Sequence, residues 1–424
     1  MNRRLYSLLF YLALPVIALR LWWRGRKAPA YRLRIAERFA LGLPPLAPGN
    51  VWVHAVSLGE SIAAAPLVRA LLAQDPRRTV LLTCMTPTGS ERVRALFADE
   101  PRVQHCYLPY DLPWAVRRFL DRAQPVLAVV METELWPNYI HVCAQRGIPV
   151  ALANGRLSAR SAKGYGRFPR LTQPMLASLS LLAVQTQAEA ERFLALGARA
   201  EAVQVTGSIK FDLSIDPTLP ARAAEQRQQW HAHDRPVWIA ASTREGEDAV
   251  VLDAHQRLLA THSDALLILV PRHLERFDAA ARQAAEAGLA TVRRSTGQPV
   301  TAASQVLVGD TMGELLFYYG LADIAFVGGS LVPTGGHNLL EPAALSRPVL
   351  AGPHLFNFLD IAAQLQQAGA LKVVDNAEEL AAAVRELIEL PQVAERMSAA
   401  GQAVMRANQG ALGRLVAALS RLLA

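Results

Sequence analysis

Short apolar runs alternate along the chain with segments whose apolar residues recur at helical spacing. A run of four to six residues rich in Val, Ile and Leu is typical of a strand buried on both faces, as in a parallel sheet covered by helices. Two sets of six such runs predict two doubly wound α/β domains. The runs are Val51–Val56, Val80–Cys84, Val126–Met131, Pro149–Ala153, Leu181–Val184 and Val203–Thr206, then Val237–Ala241, Leu266–Val270, Gln305–Val308, Ile324–Val327, Pro348–Ala351 and Leu371–Val374.

A polar segment separates the two sets of runs. It begins after Asp212 and spans Leu213–Pro220, so we place the domain boundary near residue 213. The predicted organisation is a basic and apolar N-terminal segment at 1–38, a first Rossmann-like domain at 39–212 and a second at 213–424. The helical patterns from about Ala377 onward carry no recognisable chemistry, and one of them is a candidate to pack back across the domain junction.

The net charge of +8 is located in the first 38 residues. These residues include nine basic side chains and one acidic one, so the rest of the chain is neutral overall. The basic residues surround an apolar segment, Leu5–Trp23, which predicts an uncleaved anchor on anionic membrane lipids and not a nucleic-acid-binding face. The segment is barely long enough to span a bilayer, so a spanning anchor, an interfacial anchor and a helix packed on another domain stay open. The basic cluster after it predicts that the rest of the chain is cytoplasmic.

The densest glycine segment, GGSLVPTGGHNLLEP, covers Gly328–Pro342. It follows a strand pattern and leads into a helical pattern that starts near Asn338. Glycines let the backbone approach a ligand closely, and a helix N-terminus attracts phosphate. Glu341 follows three residues after Asn338, a position from which its carboxylate can hold two sugar hydroxyls. The segment therefore predicts a nucleotide site, although Asn338 and Glu341 also have the spacing of a capping box.

Other kinds of site have no sequence signal. No GxGxxG follows a strand, and neither a Walker A pattern nor an Asp-x-Asp pair is present,. The three cysteines, Cys84, Cys106 and Cys143, are scattered, which indicates neither a disulfide framework nor a zinc site and fits a reducing compartment. A nucleotide phosphate in the second half would therefore be held by backbone, helix dipole and basic side chains.

A series of short motifs runs through nearly the whole chain. They are LWWRGRKAPAYRLRIAERF (21–39), HAVSLGE (54–60), MTPTGSERV (85–93), YLPYDLP (107–113), METELWPN (131–138), RLSARSA (156–162), VTGSIKFD (205–212), LVPRHLERF (269–277), GDTMGEL (309–315), FVGGSLVPTGGHN (326–338) and GPHLFNF (352–358). Together and in this order they resemble the 3-deoxy-D-manno-octulosonic acid (Kdo) transferases of lipopolysaccharide synthesis.

That resemblance implies a GT-B fold, in which two Rossmann-like domains face a cleft. The N-terminal half would bind the lipid A precursor (lipid IVA), and the C-terminal half would bind CMP-Kdo. The implied reaction is an inverting transfer of Kdo from CMP-Kdo to the lipid, at the cytoplasmic face of the inner membrane, without a metal or a cofactor.

Glu60 is the candidate catalytic base. An inverting transfer needs a carboxylate that takes the proton from the attacking sugar hydroxyl, and Glu60 lies in the turn after a strand, where open parallel sheets place functional residues. Its alternative role is an acid in a first helical turn. The resemblance implies that Glu132 and Lys210 help to stabilise the transition state. Glu134 is the rival of Glu132, and the alternative for Lys210 is a surface ion pair.

The resemblance also implies a set of donor-binding residues. Arg272 would engage the cytosine or the phosphate with its planar guanidinium. The loop around Met312 would contact the nucleotide, although Glu314 suits a helix N-terminus equally well. The first glycines of the dense segment would lie beside the sugar or phosphate, and its last residues would hold the phosphate and ribose. The set is Pro271, Arg272, Met312, Gly313, Glu314, Gly328, Gly329, Ser330, Asn338, Leu339, Leu340 and Glu341.

Two other functions compete with this interpretation. A GT-B transferase or epimerase that uses a UDP-sugar would have a similar second-half site, but it would leave METELWPN and GSIKFD unexplained. A membrane-tethered nucleotide-binding scaffold without enzymatic activity would have no need for Glu60, Glu132 and Lys210.

Overall fold

The computed structural model describes residues 1–230 and 235–423. The chain forms two compact units, of which the first contains Met1–Asp212 and Gln409–Ala424 and the second contains Leu213–Asn408. The predicted range of 213–424 for the second domain is therefore wrong beyond Asn408.

The first unit is built on a seven-stranded parallel sheet of order β3-β2-β1-β4-β5-β6-β7. Its strands are β1 (Val51–His54), β2 (Val80–Cys84), β3 (Val103–Tyr107), β4 (Leu127–Met131), β5 (Val150–Gly155), β6 (Leu181–Val184) and β7 (Val203–Val205). Its helices include α1 (Arg3–Lys27), α2 (Leu58–Gln74), α3 (Pro87–Leu96), α4 (Pro113–Ala123), α5 (Pro137–Gln145), α6 (Ala159–Gly166), α7 (Pro169–Ala177) and α8 (Gln187–Ala195).

The second unit repeats the plan with a parallel sheet of order β10-β11-β9-β8-β12-β13-β14. Its strands are β8 (Val237–Thr243), β9 (Leu266–Pro271), β10 (Thr291–Arg293), β11 (Val306–Val308), β12 (Ile324–Val327), β13 (Val349–Ala351) and β14 (Leu371–Val373). Its helices are α9 (Leu219–Gln229), α10 (Glu247–Leu259), α11 (Phe277–Glu286), α12 (Leu315–Leu321), α13 (Leu340–Ala344), α14 (Leu359–Gln367), α15 (Ala377–Glu389) and α16 (Pro391–Asn408).

The predicted fold class, two doubly wound α/β domains, is confirmed. In β1 the side chain of Trp52 packs into one apolar cluster while those of Val51 and Val53 pack into another, which is the alternation expected of a strand covered on both faces,. The sequence pattern missed β3 and β10 because both are edge strands with polar residues. Gln104 and His105 are half-buried in β3, as are all three residues of β10.

The last helix, α17 (Ala411–Ser420), returns to the first unit, where its apolar face joins the cluster around Val51 and Val53. Asp212 fixes its start. The two carboxylate oxygens accept the N–H groups of Gly410 and Leu412 at 2.6 and 2.5 Å, and Arg414 donates to the carbonyl oxygen of Thr206 at 2.9 Å.

Helix α1 has two different faces. By length and composition Arg3–Arg26 is apolar enough to cross a membrane, with a mean hydropathy of 1.7. A stripe on its first half nevertheless packs on the unit: Arg3 and Ser7 donate to the side-chain oxygen of Asn138 at 3.0 and 3.1 Å, and Phe10 and Leu14 contact the apolar core. The remaining surface, which includes Leu5, Leu8, Leu9, Leu12, Val16 and Leu19, is exposed.

Candidate active site

The first candidate site lies where the strand order of the first sheet reverses. The order reverses between β1 and β4, and functional residues of doubly wound sheets gather outside the carboxyl ends of strands at such a point. Glu60 follows β1, whereas Glu132 and Glu134 follow β4. The fold therefore places three carboxylates from two distant motifs at one edge of the sheet.

The Glu60 carboxylate is half-buried at the start of α2. Its oxygens accept the N–H of Val56 at 2.9 Å and the hydroxyl of Ser57 at 3.0 Å, while the Ser57 hydroxyl accepts the N–H of Glu60. The pKa of Glu60 is raised to about 7, chiefly by burial and also by the charges of Glu132 and Glu134, against the lowering effect of the Val56 N–H. Glu60 thus keeps its place in the first helical turn, while its raised pKa suits the predicted role of a proton acceptor.

Glu132 pairs with Lys210, whose ammonium is 3.2 Å from the carboxylate. The two side chains are 20% and 30% exposed, and an ion pair in such a position contributes only about 0–1 kcal/mol to stability. Glu132 also has a φ of +55°, a region that costs a non-glycine residue about 1–3 kcal/mol. Stability therefore does not explain the pair, and a strained backbone at a sheet edge is typical of functional residues.

Asn154 positions Lys210 and was missed by the sequence analysis. It is fully buried, has a φ of +53°, and its side-chain oxygen accepts the N–H of Ile209 at 3.1 Å. Ile209 begins the short 3₁₀ turn Ile209–Phe211 that carries Lys210. The available signal was an Asn-Gly pair at the end of a strand, because asparagine tolerates the left-handed region.

Glu134 faces different surroundings from Glu132. Burial raises its pKa, and the charge of Glu132 raises it further. Its side chain lines a cavity together with Trp136, Tyr165 and Phe168. The sequence did not distinguish Glu132 from Glu134. In the structure, Lys210 forms its ion pair with Glu132.

The second candidate site lies at the corresponding reversal in the other unit, between β8 and β12. The loop after β12 begins with Gly328, where a Cβ atom would lie 2.8 Å from the backbone of Thr243. Glu247, at the start of α10, holds this loop. Its fully buried carboxylate accepts the N–H groups of Gly329, Ser330 and Leu331 at 2.6 to 2.9 Å and that of Arg244 at 2.8 Å.

Four basic side chains gather beside this loop. Arg244 donates to the ring nitrogen of His337 at 3.3 Å and contacts that of His273. The pKa of His337 is lowered to about 3, chiefly by burial and also by the nearby positive charges of Arg272 and Arg244. The histidine is therefore neutral, and the two arginines supply a concentrated positive charge that suits a phosphate or a carboxylate.

Asn338 and Glu341 form a side-chain pair at the end of the same loop. The Asn338 amide donates to the Glu341 carboxylate at 3.1 Å, and its oxygen accepts the N–H of Leu340 at 3.1 Å. Burial raises the pKa of Glu341. The capping box, which was the alternative role for this pair, does not form, because the N-cap is Leu339 and the five-residue α13 begins two positions after Asn338.

Comparison with known proteins decides the family. The model of 3-deoxy-D-manno-octulosonic-acid transferase (kdotransferase) matches residues 33–213. The chain is also 45% identical to the 3-deoxy-D-manno-octulosonic acid transferase of Haemophilus influenzae, over 98% of this chain and 97% of the relative. The chain belongs to the 3-deoxy-D-manno-octulosonic acid transferase family. It is therefore a glycosyltransferase enzyme, as the motifs predicted.

The fold of this transferase is shared more widely. A glycosyltransferase from Rickettsia africae aligns over 89% of this chain and 98% of its own, with a TM-score of 0.55 at 12% identity. The UDP-GlcNAc 2-epimerase of Neisseria meningitidis aligns over 88% and 99%, with a TM-score of 0.56 at 16% identity. These likenesses show the GT-B fold and nothing of the substrate, so fold alone does not separate a Kdo transferase from a UDP-sugar enzyme, whereas the sequence identity does.

The predicted donor residues of the transferase have unequal access to a ligand. Met312 is 65% exposed and precedes Gly313, whose φ is +85°. Glu314, the N-cap residue of α12, is paired with Arg294 at 3.1 Å. Arg272 is exposed after Pro271 at the end of β9.

Other predicted donor residues are enclosed. Ser330, Leu339 and Leu340 are 0% exposed, and the Ser330 hydroxyl joins two loops by donating to Val327 and accepting from Gly352. Within residues 1–230 and 235–423, no group of three or more His, Cys, Asp or Glu side chains is placed to hold a metal ion.

Proposed function

We propose that this transferase moves Kdo from CMP-Kdo to a lipid A precursor in lipopolysaccharide synthesis, with inversion at the anomeric carbon and Glu60 as general base. One observation carries the proposal: in a chain with near full-length identity to a Kdo transferase, a half-buried carboxylate with a pKa of about 7 stands at the sheet reversal that also holds the Glu132–Lys210 pair. A base with a pKa near the working pH is the one best suited to accept a proton in the transition state.

The transfer breaks one bond and forms one. An acceptor hydroxyl attacks the anomeric carbon of Kdo while its proton passes to the Glu60 carboxylate. The bond from that carbon to the CMP phosphate breaks, and its electron pair leaves with the phosphate. Lys210, held by Glu132, supplies a positive charge for the Kdo carboxylate or the phosphate as negative charge develops.

The second unit is the proposed donor site. Arg244 and Arg272 form the positive cluster for the CMP phosphate, and the neutral His337 accepts a hydrogen bond from Arg244. Asn338 and Glu341 are suited to the ribose hydroxyls, because a carboxylate with a neighbouring amide offers both acceptors and donors. The exposed segment at Met312 is suited to contact the base.

The proposed location is the cytoplasmic face of the inner membrane. An exposed apolar surface on α1 and nine basic residues within 1–38 support it, because basic residues flanking an apolar helix bind anionic lipids. The packed stripe at Arg3, Ser7, Phe10 and Leu14 supports a helix whose first half lies against the unit at the membrane surface.

The decisive experiment supplies purified protein with radiolabelled CMP-Kdo and a lipid A precursor and follows label in the lipid, with mass spectrometry to count the Kdo residues added. We expect transfer from CMP-Kdo, none from UDP-sugars, and at least a hundredfold loss in Glu60→Gln. Absence of transfer from CMP-Kdo by folded protein would exclude the proposal.

A further inference from the structure

Two adjoining cavities lie where the first turns of α1 meet α5, α6 and α7. The apolar cavity, of about 560 Å³, is lined by Tyr6, Trp136, Tyr165, Phe168, Leu171 and Met175 among others. The basic cavity, of about 390 Å³, is lined by Arg3, Arg4, His141 and Arg170 among others. Both walls include Pro137, Leu171 and Met175, so the two cavities share a boundary. The apolar one has the size of a typical ligand site.

Apart from Glu134, which lines the apolar cavity, the charged side chains around these cavities are basic. Residues 135–188 contain no acidic residue and six basic ones. Arg160, Lys163, Arg167 and Arg170 are exposed on or beside α6 and α7. Phe168, between these helices, is 41% exposed although it is aromatic. Basic residues around an exposed aromatic side chain are typical of a surface that meets anionic lipid.

Helix α1 lines both cavities with its first residues. Its Asn2, Arg3 and Arg4 line the basic cavity, while Met1 and Tyr6 line the apolar one. The hydrogen bonds from Arg3 and Ser7 to Asn138 fix these turns on α5. The exposed apolar residues Leu5, Leu8 and Leu9 belong to the same turns of α1, so the helix carries apolar surface close to both cavities.

We propose that the apolar cavity holds an acyl chain of the acceptor and the basic cavity holds one of its phosphates, so that α1 forms a wall of the acceptor site in addition to anchoring the protein. This inference rests on the proposed function. The acceptor is favoured over a bulk phospholipid because Thr133 and Glu134 also line the apolar cavity and lie within three residues of Glu132. The occupant of the cavity is thereby placed beside the proposed catalytic carboxylates.

The first test fills the apolar cavity. Gly164 lines it within α6, and a Cβ atom there meets nothing within 4 Å, so Gly164→Phe is compatible with folding. Gly413→Phe is the matched control, because Gly413 is also helical, exposed and open at Cβ but lies in α17. We expect Gly164→Phe to raise the KM for an acylated lipid A precursor about tenfold, since each buried CH₂ contributes to binding. The KM for CMP-Kdo and transfer to the deacylated acceptor should be unchanged, as should all values for Gly413→Phe.

The second test removes charge from the basic cavity. The double variant Arg4→Gln/Arg170→Gln should raise the KM for the phosphorylated acceptor about tenfold and leave that for a dephosphorylated acceptor unchanged. Arg385→Gln/Arg396→Gln is the control, because both arginines are exposed on α15 and α16 of the second unit and should have no effect.

Three outcomes overturn the inference or separate it from the proposed function. Equal KM values for Gly164→Phe and Gly413→Phe with the acylated acceptor would overturn it. Unchanged acceptor KM values in detergent, combined with weaker binding of Gly164→Phe to anionic phospholipid vesicles, would overturn it in favour of a phospholipid occupant. If the parent protein transfers no Kdo, the proposed function fails, but direct binding of a fluorescent acylated acceptor still tests the cavity. Binding that is retained by Gly413→Phe and lost in Gly164→Phe would support the inference. Equal binding by the two variants would overturn it.

Discussion

Glu60 and Glu247 occupy matching places in the two units, yet their carboxylates have different surroundings. Each follows a glycine in the segment after the first strand of its unit, β1 or β8. Glu247 is fully buried and accepts four backbone N–H groups. Glu60 accepts one N–H and one hydroxyl and stays half-buried. The Glu247 carboxylate holds a loop, whereas the Glu60 carboxylate retains access for proton exchange.

The pH dependence of transfer should report Glu60. Because burial raises its pKa to about 7, the ionised base is half-populated near neutral pH. We expect kcat/KM to be low below pH 6, to rise through pH 7 and to level off above it, since kcat/KM reports the free enzyme. In Glu60→Gln the remaining activity should lack this acidic limb. An identical limb in that variant would assign the titration to another group.

Asn154 should act on turnover through Lys210. Asn154→Gly keeps the left-handed backbone accessible but removes the hydrogen bond to Ile209. We expect kcat to fall on the order of tenfold, because a catalytic group displaced by a fraction of an ångström loses much of its effect. Steady-state kinetics should show a smaller change in either KM. An unchanged kcat would mean that the turn at Ile209–Phe211 holds its place without Asn154.

Glu247 should matter for both stability and donor binding. In Glu247→Gln the amide NH₂ group faces backbone N–H donors, which leaves at least one of them unsatisfied in a buried site. We expect the free energy of unfolding to fall by about 2 kcal/mol and the KM for CMP-Kdo to rise, measured by urea denaturation and initial rates. Glu245→Gln, two positions earlier at an exposed residue, is the control and should match the parent protein.

At the scale of elements, α17 depends on a residue almost two hundred positions earlier. The Asp212 carboxylate accepts two N–H groups at the start of this helix, which otherwise lack intrahelical partners. Asp212→Ala should lower the free energy of unfolding by about 1 kcal/mol and speed hydrogen exchange in α17. Asp212→Asn keeps one acceptor oxygen, so its free energy of unfolding should lie between those of the parent protein and Asp212→Ala. Exchange in α17 equal to that of the parent would contradict this role.

Strand prediction succeeded and failed for an identifiable reason. Interior strands such as β1 and β8 are covered on both faces, so nearly all of their residues are apolar and the strands are visible in the sequence as continuous apolar runs. The edge strands β3 and β10 are covered less, and polar side chains such as Gln104 and His105 are tolerated there. The search for apolar runs therefore missed these two edge strands, although it found the edge strands β7 and β14,.

At the scale of the whole molecule, the charge asymmetry predicts how the protein meets a membrane. The excess of +8 lies within residues 1–38. Binding to vesicles that contain anionic lipid should weaken as salt rises, because each basic residue near the surface contributes about 1 kcal/mol that salt screens. Arg24→Gln/Arg26→Gln should reduce both the affinity and its salt dependence in vesicle sedimentation. Arg385→Gln/Arg396→Gln should change neither, and equal losses in the two double variants would contradict a localised contact.

The sequence by itself determined the fold class, the family and most of the chemistry-bearing positions, because buried strands and local motifs consist of residues that are consecutive in the chain. Only the tertiary structure decided which of Glu132 and Glu134 receives Lys210, that Asn154 and Glu247 hold the segments around the sites, and that α17 returns to the first unit. It also showed that the first turns of α1 line two cavities beside α5 to α7. Such facts depend on contacts between residues tens to hundreds of positions apart, and spacing along the chain carries no information about them.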